Sequence, residues 1–579
     1  MHTPASDTKA MDYAYTLTGT EATTGYFSCE PPKGTTVADG IAWLESHPAD
    51  DFMHLWLLRK LTDFEQKKLR SMITKEYKGK PVIEALLYEV CLLTPRLAGL
   101  LGRFADDAAQ HLQQHTPLPY IKWSQLPDKD LNREWVELFR SNMHDHNMLP
   151  HPEDEELPPL FDLETVSDLW LGRGQVSVAD VREEVKASCT ESDWQRPPAQ
   201  ETAMLALERL VENNIIGGVE MRHIASLSPI ALLRQWQLDI SVQAGANNHH
   251  LKGLATTYGR GLSLADARVS YAMEMVERAS SYASVIDSGN GPEVTGRKQT
   301  YPVTVARYSE LVSKGIEVVN PNDFPLEVPY QDEPLHWMEG RSPRPEGETV
   351  VLVPVQMVFL FCNLDEVSLY TAPGSTGLAS GNIMEEAKVA ALTEIIERDA
   401  EATVPYTRGG CFTLTTDDPK IKMLLDDYKA RGIHLQFQDL TTGFEVPCYK
   451  AFVIGKDGNI TRATGAGLDG RRAIVSCLTE TPYPYPNGPE SAAVLPGIPE
   501  RKMEDLPDMS LGCVHSNLAL LERMFTANNR TPVYVDLSRS DLQFPVVRAL
   551  VPGMELTADF TPFTRVNPRL YKAYLELFS

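Results

Sequence analysis

Glu274 and Glu277 in SYAMEMVERAS, and Glu394 and Glu397 in AALTEIIERDA, repeat one acid spacing about 120 residues apart, and each pair is followed at once by an arginine, Arg278 or Arg398. Acids at i and i+3 on a helix share a face, so two such helices packed together would direct four carboxylates into one volume. That many carboxylates do not all stay ionised unless cations share the site. Hard divalent ions take oxygen ligands, and Mg²⁺ in particular is usually held by a few carboxylates plus the phosphates of a nucleotide. The repeated spacing therefore predicts a magnesium-nucleotide site. A single ExxE pair is most often a solvated helix face. Here Tyr271, Met273, Met275 and Val276 surround the first pair, and Ala390, Ala391, Leu392, Ile395 and Ile396 the second, so each helix reads as mostly buried with one polar stripe. Buried acids need partners.

The elements that must position these helices alternate between strand and helix. Strand patterns lie at Val350 to Cys362, at HLQFQDL from His434, at CYKAFVI from Cys448 and at VYVDL from Val533, and the alternation indicates an α/β architecture with several strands per sheet. From about Asp50 to Asn214 the apolar spacing is helical instead, interrupted by the polar, proline-rich HPEDEELPP from His151 to Pro159. The first 25 residues read as loose chain or a single edge strand. Cys29 to His47 reads as a loop into a helix, and GANNHHLKG, with His249 and His250, as a turn-like segment.

Composition narrows the class. A net charge of −25 over 579 residues argues against a nucleic-acid surface, which needs a basic stripe. No stretch approaches the roughly 20 apolar residues of a membrane helix. The eight cysteines are scattered without a CxxC, which indicates neither a zinc site nor a disulfide framework and fits a reducing cytoplasm.

Four blocks resemble the YcaO family, in that family's order. Tyr258 to Ser280 resembles its SxxxExxER motif with the preceding glycine-containing turn, and Ser380 to Ala400 its second glutamate motif with a Ser-Gly-Asn lead-in. Thr461 to Glu480 resembles the glycine-containing strand and helix that close the same site, and Val546 to Leu556 the core's late strand. The resemblance implies a mixed-sheet core with packed glutamate-bearing helices, ATP and Mg²⁺ as cofactors, and phosphorylation of a peptide-backbone amide oxygen after a nucleophile has added to the carbonyl carbon. By the same resemblance Glu274, Glu277, Glu394 and Glu397 form the metal site, with Glu277 and Glu394 central to catalysis. Ser270, Asn382 and Glu480 lie near the nucleotide, and Lys33 approaches phosphate. Arg278 and Arg398 either contact phosphate or hold neighbouring glutamates in place. A peptide or protein substrate, a TfuA-like or leader-binding partner and a homodimer are implied on the same ground.

The departures are as informative. Where the family continues past its third acid with a glutamine and an arginine, this chain reads Thr481, Pro482, Tyr483, Pro484, Tyr485, Pro486, so the helix must stop. Ala390 stands where some members carry a glutamine, and the chain ends in an amphipathic run, RVNPRLYKAYLELFS, rather than a PxPxP tail. The internal PYPYP itself reads as a rigid surface turn. Three units are expected: residues 1–50 as an opening segment that supplies the first element of the core, 51–215 as a helical domain or insertion, and 216–579 as the catalytic core. The products expected of such an enzyme are an azoline or a thioamide. Hydrolysis of the activated amide, which would make the protein an ATP-dependent peptidase, and a non-catalytic nucleotide-binding or peptide-docking role are the alternatives.

Overall fold

The computed structural model describes residues 10–18, 26–154, 156–162, 175–189, 192–287, 292–296, 299–360, 364–371, 374–556 and 560–578. Its centre is a long antiparallel hairpin, β3 (Ile230–Ala244) with β4 (Asn247–Gly261), paired over its full length around Gly245 and Ala246. Gly245 has φ +59°, and the Asp365 carboxylate accepts from the Ala246 N–H at 2.6 Å and the Asn247 side-chain amide at 2.9 Å. The segment with His249 and His250 is thus strand rather than turn. Its alternation is hidden in sequence because polar residues fill the inward positions: Asn247, His249 and Thr257 are all buried.

β1 (Met11–Thr18) and β2 (Tyr26–Glu30) join this hairpin, followed on the other side by β5 (Ser284–Asp287), β6 (Pro292–Gly296) and β7 (Gln299–Pro302), in the order β2-β1-β4-β3-β5-β6-β7, with the short strand Met221–Arg222 pairing on β3. β1 runs parallel to β4 and has β2 on its other side, so it is an interior strand and not an edge. Its Tyr13 is buried and donates to Asp50 at 2.8 Å, and Asp50 in turn caps the helix Asp51–Thr62 through the Met53 N–H.

A second sheet combines β8 (Leu335–Arg344), β9 (Gly347–Pro354) and β10 (Leu378–Ser380) with β16 (Val533–Asp536) and β17 (Val546–Leu550), ordered β9-β8-β16-β17-β10. The expected strand from Val350 stops at Pro354, and Cys362 lies outside the described residues. Between these parts of the chain, β11 (Cys411–Thr415), β12 (Gln436–Asp439), β13 (Cys448–Ile454), β14 (Ile460–Ala466) and β15 (Glu500–Lys502) form a third sheet ordered β14-β13-β12-β11-β15. All three sheets contain antiparallel pairs, and two also contain parallel ones, so the core is a mixed α/β fold.

Helices position the site. α1 (Ala199–Glu212) packs along α2 (Leu264–Ser281), which lies on β4 and touches β10; α3 (Met384–Thr403) touches β10, β17 and β14; α4 (Gly470–Glu480) lies on β14 and reaches β4. Reading α2, β10, α3, β14, α4, β4 gives a closed ring of neighbours. The two glutamate helices meet across β10, where the Ser380 hydroxyl donates to the Met273 carbonyl at 2.9 Å. The last helix, Pro568–Glu576, carries the amphipathic C-terminal run. Its Leu570, Tyr571 and Tyr574 bury against Trp135, Phe139 and Met143 of the helix Lys129–Asp145.

Candidate active site

Each ring helix starts at a specified point and is brought unusually close to a strand. The Ser263 hydroxyl accepts from the Asp266 N–H at 3.2 Å to cap α2, and Asp469 caps α4 through the Arg471 N–H at 3.0 Å. α3 opens with Glu385 and Glu386, acids suited to a helix N-terminus. Gly259 on β4 faces α2 so closely that a Cβ there would sit 1.9 Å from the Ala267 carbonyl oxygen. Gly465 on β14 has the same relation to α4, 2.6 Å from the Ala473 oxygen. Any side chain at either position would push helix from strand.

These close approaches give the acids their partners. The Tyr258 N–H donates to Glu274 at 3.2 Å, the Gly377 N–H to Glu394 at 3.0 Å and the Ala466 N–H to Glu397 at 3.2 Å. Arg278 lies 3.0 Å from Glu277 and 3.8 Å from Glu274; Arg398 donates to Glu401 at 3.0 Å and lies 3.5 Å from Glu397. Both arginines hold glutamates here. Water still reaches the cleft: the Glu274 side chain is 32% exposed and Glu277 15%.

The arginines do not neutralise the site. Burial, opposed in part by Arg278, raises the carboxyl pKa of Glu274. Burial pushes Glu277 up to about 8, with Glu394 and Glu274 adding repulsion against the attraction of Arg278. Glu394 is raised by burial despite Arg398 and Arg278, and Glu397 is raised well above the carboxylate range by burial, with Glu480 and Glu394 adding repulsion. Glu480, the last residue of α4, therefore faces the same volume as α2 and α3. A site in which all four of these acids are driven toward their neutral form attracts cations.

Among the described residues no three His, Cys, Asp or Glu side chains converge closely enough to cage a metal ion unaided. Mg²⁺ takes a few carboxylate oxygens beside waters and phosphate oxygens, so the carboxylates of α2 and α3 are a donor set that would fit it together with a nucleotide.

Other expected residues stand further from this volume or are otherwise engaged. Ser270 is exposed on α2, one turn before Glu274, and Lys33 is exposed in the turn after β2. Asn382 holds the start of α3: its N–H and side-chain amide donate to Glu386 at 2.7 and 2.8 Å, and its carbonyl oxygen accepts from Thr202 of α1. α4 ends at Glu480, as Pro482 requires. The PYPYP segment, however, is packed rather than a plain surface turn: Tyr483 is buried, and Tyr485 donates to Asp427 and meets Tyr428 edge-on at 5.0 Å. His249 is enclosed by Tyr13 and Phe52, and among the described residues no metal-holding cluster includes it.

Arg548 was not distinguished by its spacing. It sits on β17 opposite Leu378, donates to the Gly374 carbonyl at 3.0 Å, and has its pKa lowered to about 10 by burial, against the attraction of Glu394. The signal available in sequence was a lone cation inside the apolar run VVRALV.

Residues 258–482 match the family described as YcaO cyclodehydratase, ATP- and Mg²⁺-binding. The span opens at the Tyr258 N–H that binds Glu274 and closes at Pro482. An uncharacterised protein of Methanothermobacter thermautotrophicus is 26% identical over 332 residues, which cover 52% of this chain and 81% of that protein. Among solved structures, a heterocyclase in complex with substrate and cofactor aligns with a TM-score of 0.48 at 17% identity over 65% of this chain and 55% of its own, so this chain spans about half of that molecule. YcaO from Methanopyrus kandleri, bound with AMPPCP and Mg²⁺, aligns with a TM-score of 0.42 at 20% identity over 61% of this chain and 90% of that one. The match to the YcaO family, whose description is ATP- and Mg²⁺-binding, thus takes in α2, α3 and α4 with their four glutamates and Glu480.

Proposed function

We propose that this protein activates a peptide-backbone amide by ATP-dependent phosphorylation of its oxygen, leading to an azoline or thioamide in a modified peptide. The observation that carries the reading is geometric: α2 and α3 meet across β10, each bearing a glutamate pair with its own arginine, and burial raises the carboxyl pKa of all four acids. Mg²⁺ bound with ATP supplies charge neutralisation at the transferring phosphoryl group. Glu274, Glu277, Glu394 and Glu397 would hold a two-metal site, and the Tyr258, Gly377 and Ala466 N–H groups fix three of the carboxylates in orientation. Arg278 and Arg398 keep the acid pairs from splaying apart and lie where negative charge accumulates. Glu480 adds a fifth acid from α4, while Ser270, Asn382 and Lys33 serve the nucleotide's periphery.

The nucleophile separates the outcomes. Attack by a neighbouring Cys, Ser or Thr side chain followed by loss of phosphate gives an azoline; attack by sulfide gives a thioamide; attack by water cleaves the amide. The altered sequence after Glu480, whose tyrosines point into the third sheet's core, is the observation that keeps hydrolysis in view. Incubation with a candidate peptide, ATP and Mg²⁺ followed by mass spectrometry decides: loss of about 18 Da reports cyclodehydration, gain of about 16 Da thioamidation, and fragments hydrolysis. An unmodified peptide without ATP turnover, against a precursor encoded beside this gene, would leave only nucleotide binding.

The pairing of β1 with β4 supports residues 1–50 as part of the core and 51–215 as an inserted scaffold. Homodimerisation and a TfuA-like or leader-binding partner belong to the same proposal; light scattering of the purified protein, alone and with the partner, tests them.

A further inference from the structure

Behind α3, on the side away from the glutamates, three guanidinium groups line one cavity of about 280 Å³: Arg530 after the helix Val514–Ala527, and Arg565 and Arg569 at the start of the last helix. Arg530 and Arg569 both donate to a single acceptor, the Gly553 carbonyl oxygen, at 2.9 and 3.0 Å, so two like charges are held side by side. Arg569 is matched by a two-pronged contact to Asp399 of α3, with Nη1 donating at 2.6 Å, and Arg565 is matched by Asp128, with Nη1 donating at 3.0 Å. Arg530 pairs with no carboxylate among the described residues; its remaining contacts are the Met554 sulfur at 2.9 Å and the face of Phe444. The one acid lining the cavity is Asp323. Like charges fixed at this separation in a partly buried setting repel, and the lining offers five-donor planar groups of the kind that match carboxylate and phosphate oxygens in pairs. Burial and the neighbouring Arg569 lower the pKa of Arg530 to about 10, against the attraction of Asp399, which is itself taken up by Arg569.

We propose that this cavity is an oxyanion-binding site, separate from the nucleotide cleft, that takes a phosphate or a carboxylate group between Arg530, Arg565 and Arg569. The anion supplies the counter-charge that Arg530 lacks. Because Arg569 also grips Asp399, two residues past Glu397, the occupied site is joined mechanically to the helix that carries the second glutamate pair.

Calorimetric titration of the full-length protein tests it, with inorganic phosphate in one arm and a short acetylated peptide ending in a free carboxylate in the other. Binding in either arm, weakened at least tenfold by Arg530→Gln and unchanged by Glu394→Gln, is the expected result, and the arm that binds identifies the source of the anion. The Glu394→Gln control separates this site from the nucleotide cleft, so failure of the proposed catalytic reading does not touch it. Absence of binding in both arms, or binding indifferent to Arg530→Gln, overturns the proposal. If Arg530→Gln does not fold, Asp323→Asn replaces it: removing the competing carboxylate should tighten anion binding severalfold, and unchanged or weaker binding sinks the assignment.

Discussion

The four glutamates are alike in spacing but not in support, and that difference sets what substitution does. On the proposed function, Glu277→Gln and Glu394→Gln each keep the side chain's shape and remove a charge that would hold Mg²⁺ against phosphate, so ATP turnover measured by phosphate release should fall at least about a thousandfold, roughly 4 kcal/mol. The stability of the metal-free protein should move the other way, because each change relieves repulsion. The pH dependence follows from Glu277, whose carboxyl is raised to about 8. A folded pKa above the unfolded value of about 4.3 means that the native state binds the extra proton, so the contribution of Glu277 to stability is fully present below pH ~4.3 and is lost as pH rises toward 8. Denaturant titrations of the apo protein between pH 5 and 8, in steps of about one unit, should show that loss, and Glu277→Gln should flatten it. An unchanged slope in the variant would mean that another group carries the titration. The half-buried helix faces that carry the two ExxER stripes were legible in the sequence, since both stripes sit amid apolar residues. Arg548 was not, because a single buried arginine has no spacing to betray it. The engagement of Asn382 by Glu386 and Thr202 depends on where α1 packs, which no local pattern encodes.

Among the elements, the strand-to-helix contacts at Gly259 and Gly465 are the joints on which site geometry depends. Gly259→Ala places a methyl group 1.9 Å from the Ala267 oxygen, a backbone atom that cannot swing aside, and should destabilise the protein by about 3 kcal/mol or more, seen as a lowered melting temperature together with lost nucleotide binding. Gly409→Ala, with nothing within 4 Å, should stay within about 0.5 kcal/mol of the parent. Equal melting temperatures for the two variants would show that β4 and α2 are not so tightly apposed. Most helices and the strands β9, β12, β13 and β16 could be read from periodicity. The β3–β4 hairpin could not, because its inward face uses Asn247, His249 and Thr257 where an apolar alternation is expected. PYPYP read as surface because proline suggests it, whereas two tyrosines decide the packing.

For the whole molecule, ligand and architecture are linked. Since no three carboxylates among the described residues cage an ion alone, Mg²⁺ by itself should stabilise the protein little. Mg²⁺ with ATP at about a hundredfold over the dissociation constant should add about 2.7 kcal/mol, read as a rise in melting temperature. A large shift with Mg²⁺ alone would place a complete metal cage somewhere in the chain. Removal of residues 1–30 deletes β1 and β2, bares the β4 edge and strips the cover from Phe52 and His249, so the truncated protein should aggregate rather than merely lose activity; a soluble, cooperatively melting product would contradict the interior placement of β1.

The closed ring of α2, β10, α3, β14, α4 and β4 also bears on the protein's synthesis. Its members are drawn from Asn247 to Glu480, and the Arg548 that abuts them comes later still. A ribosome that has released only the first glutamate helix has exposed half of a repelling carboxylate cluster with nothing to bind. Since contacts this distant in sequence form late, the unfinished chain cannot take up nucleotide, and the first molecule of ATP bound marks a polypeptide whose core has been completed.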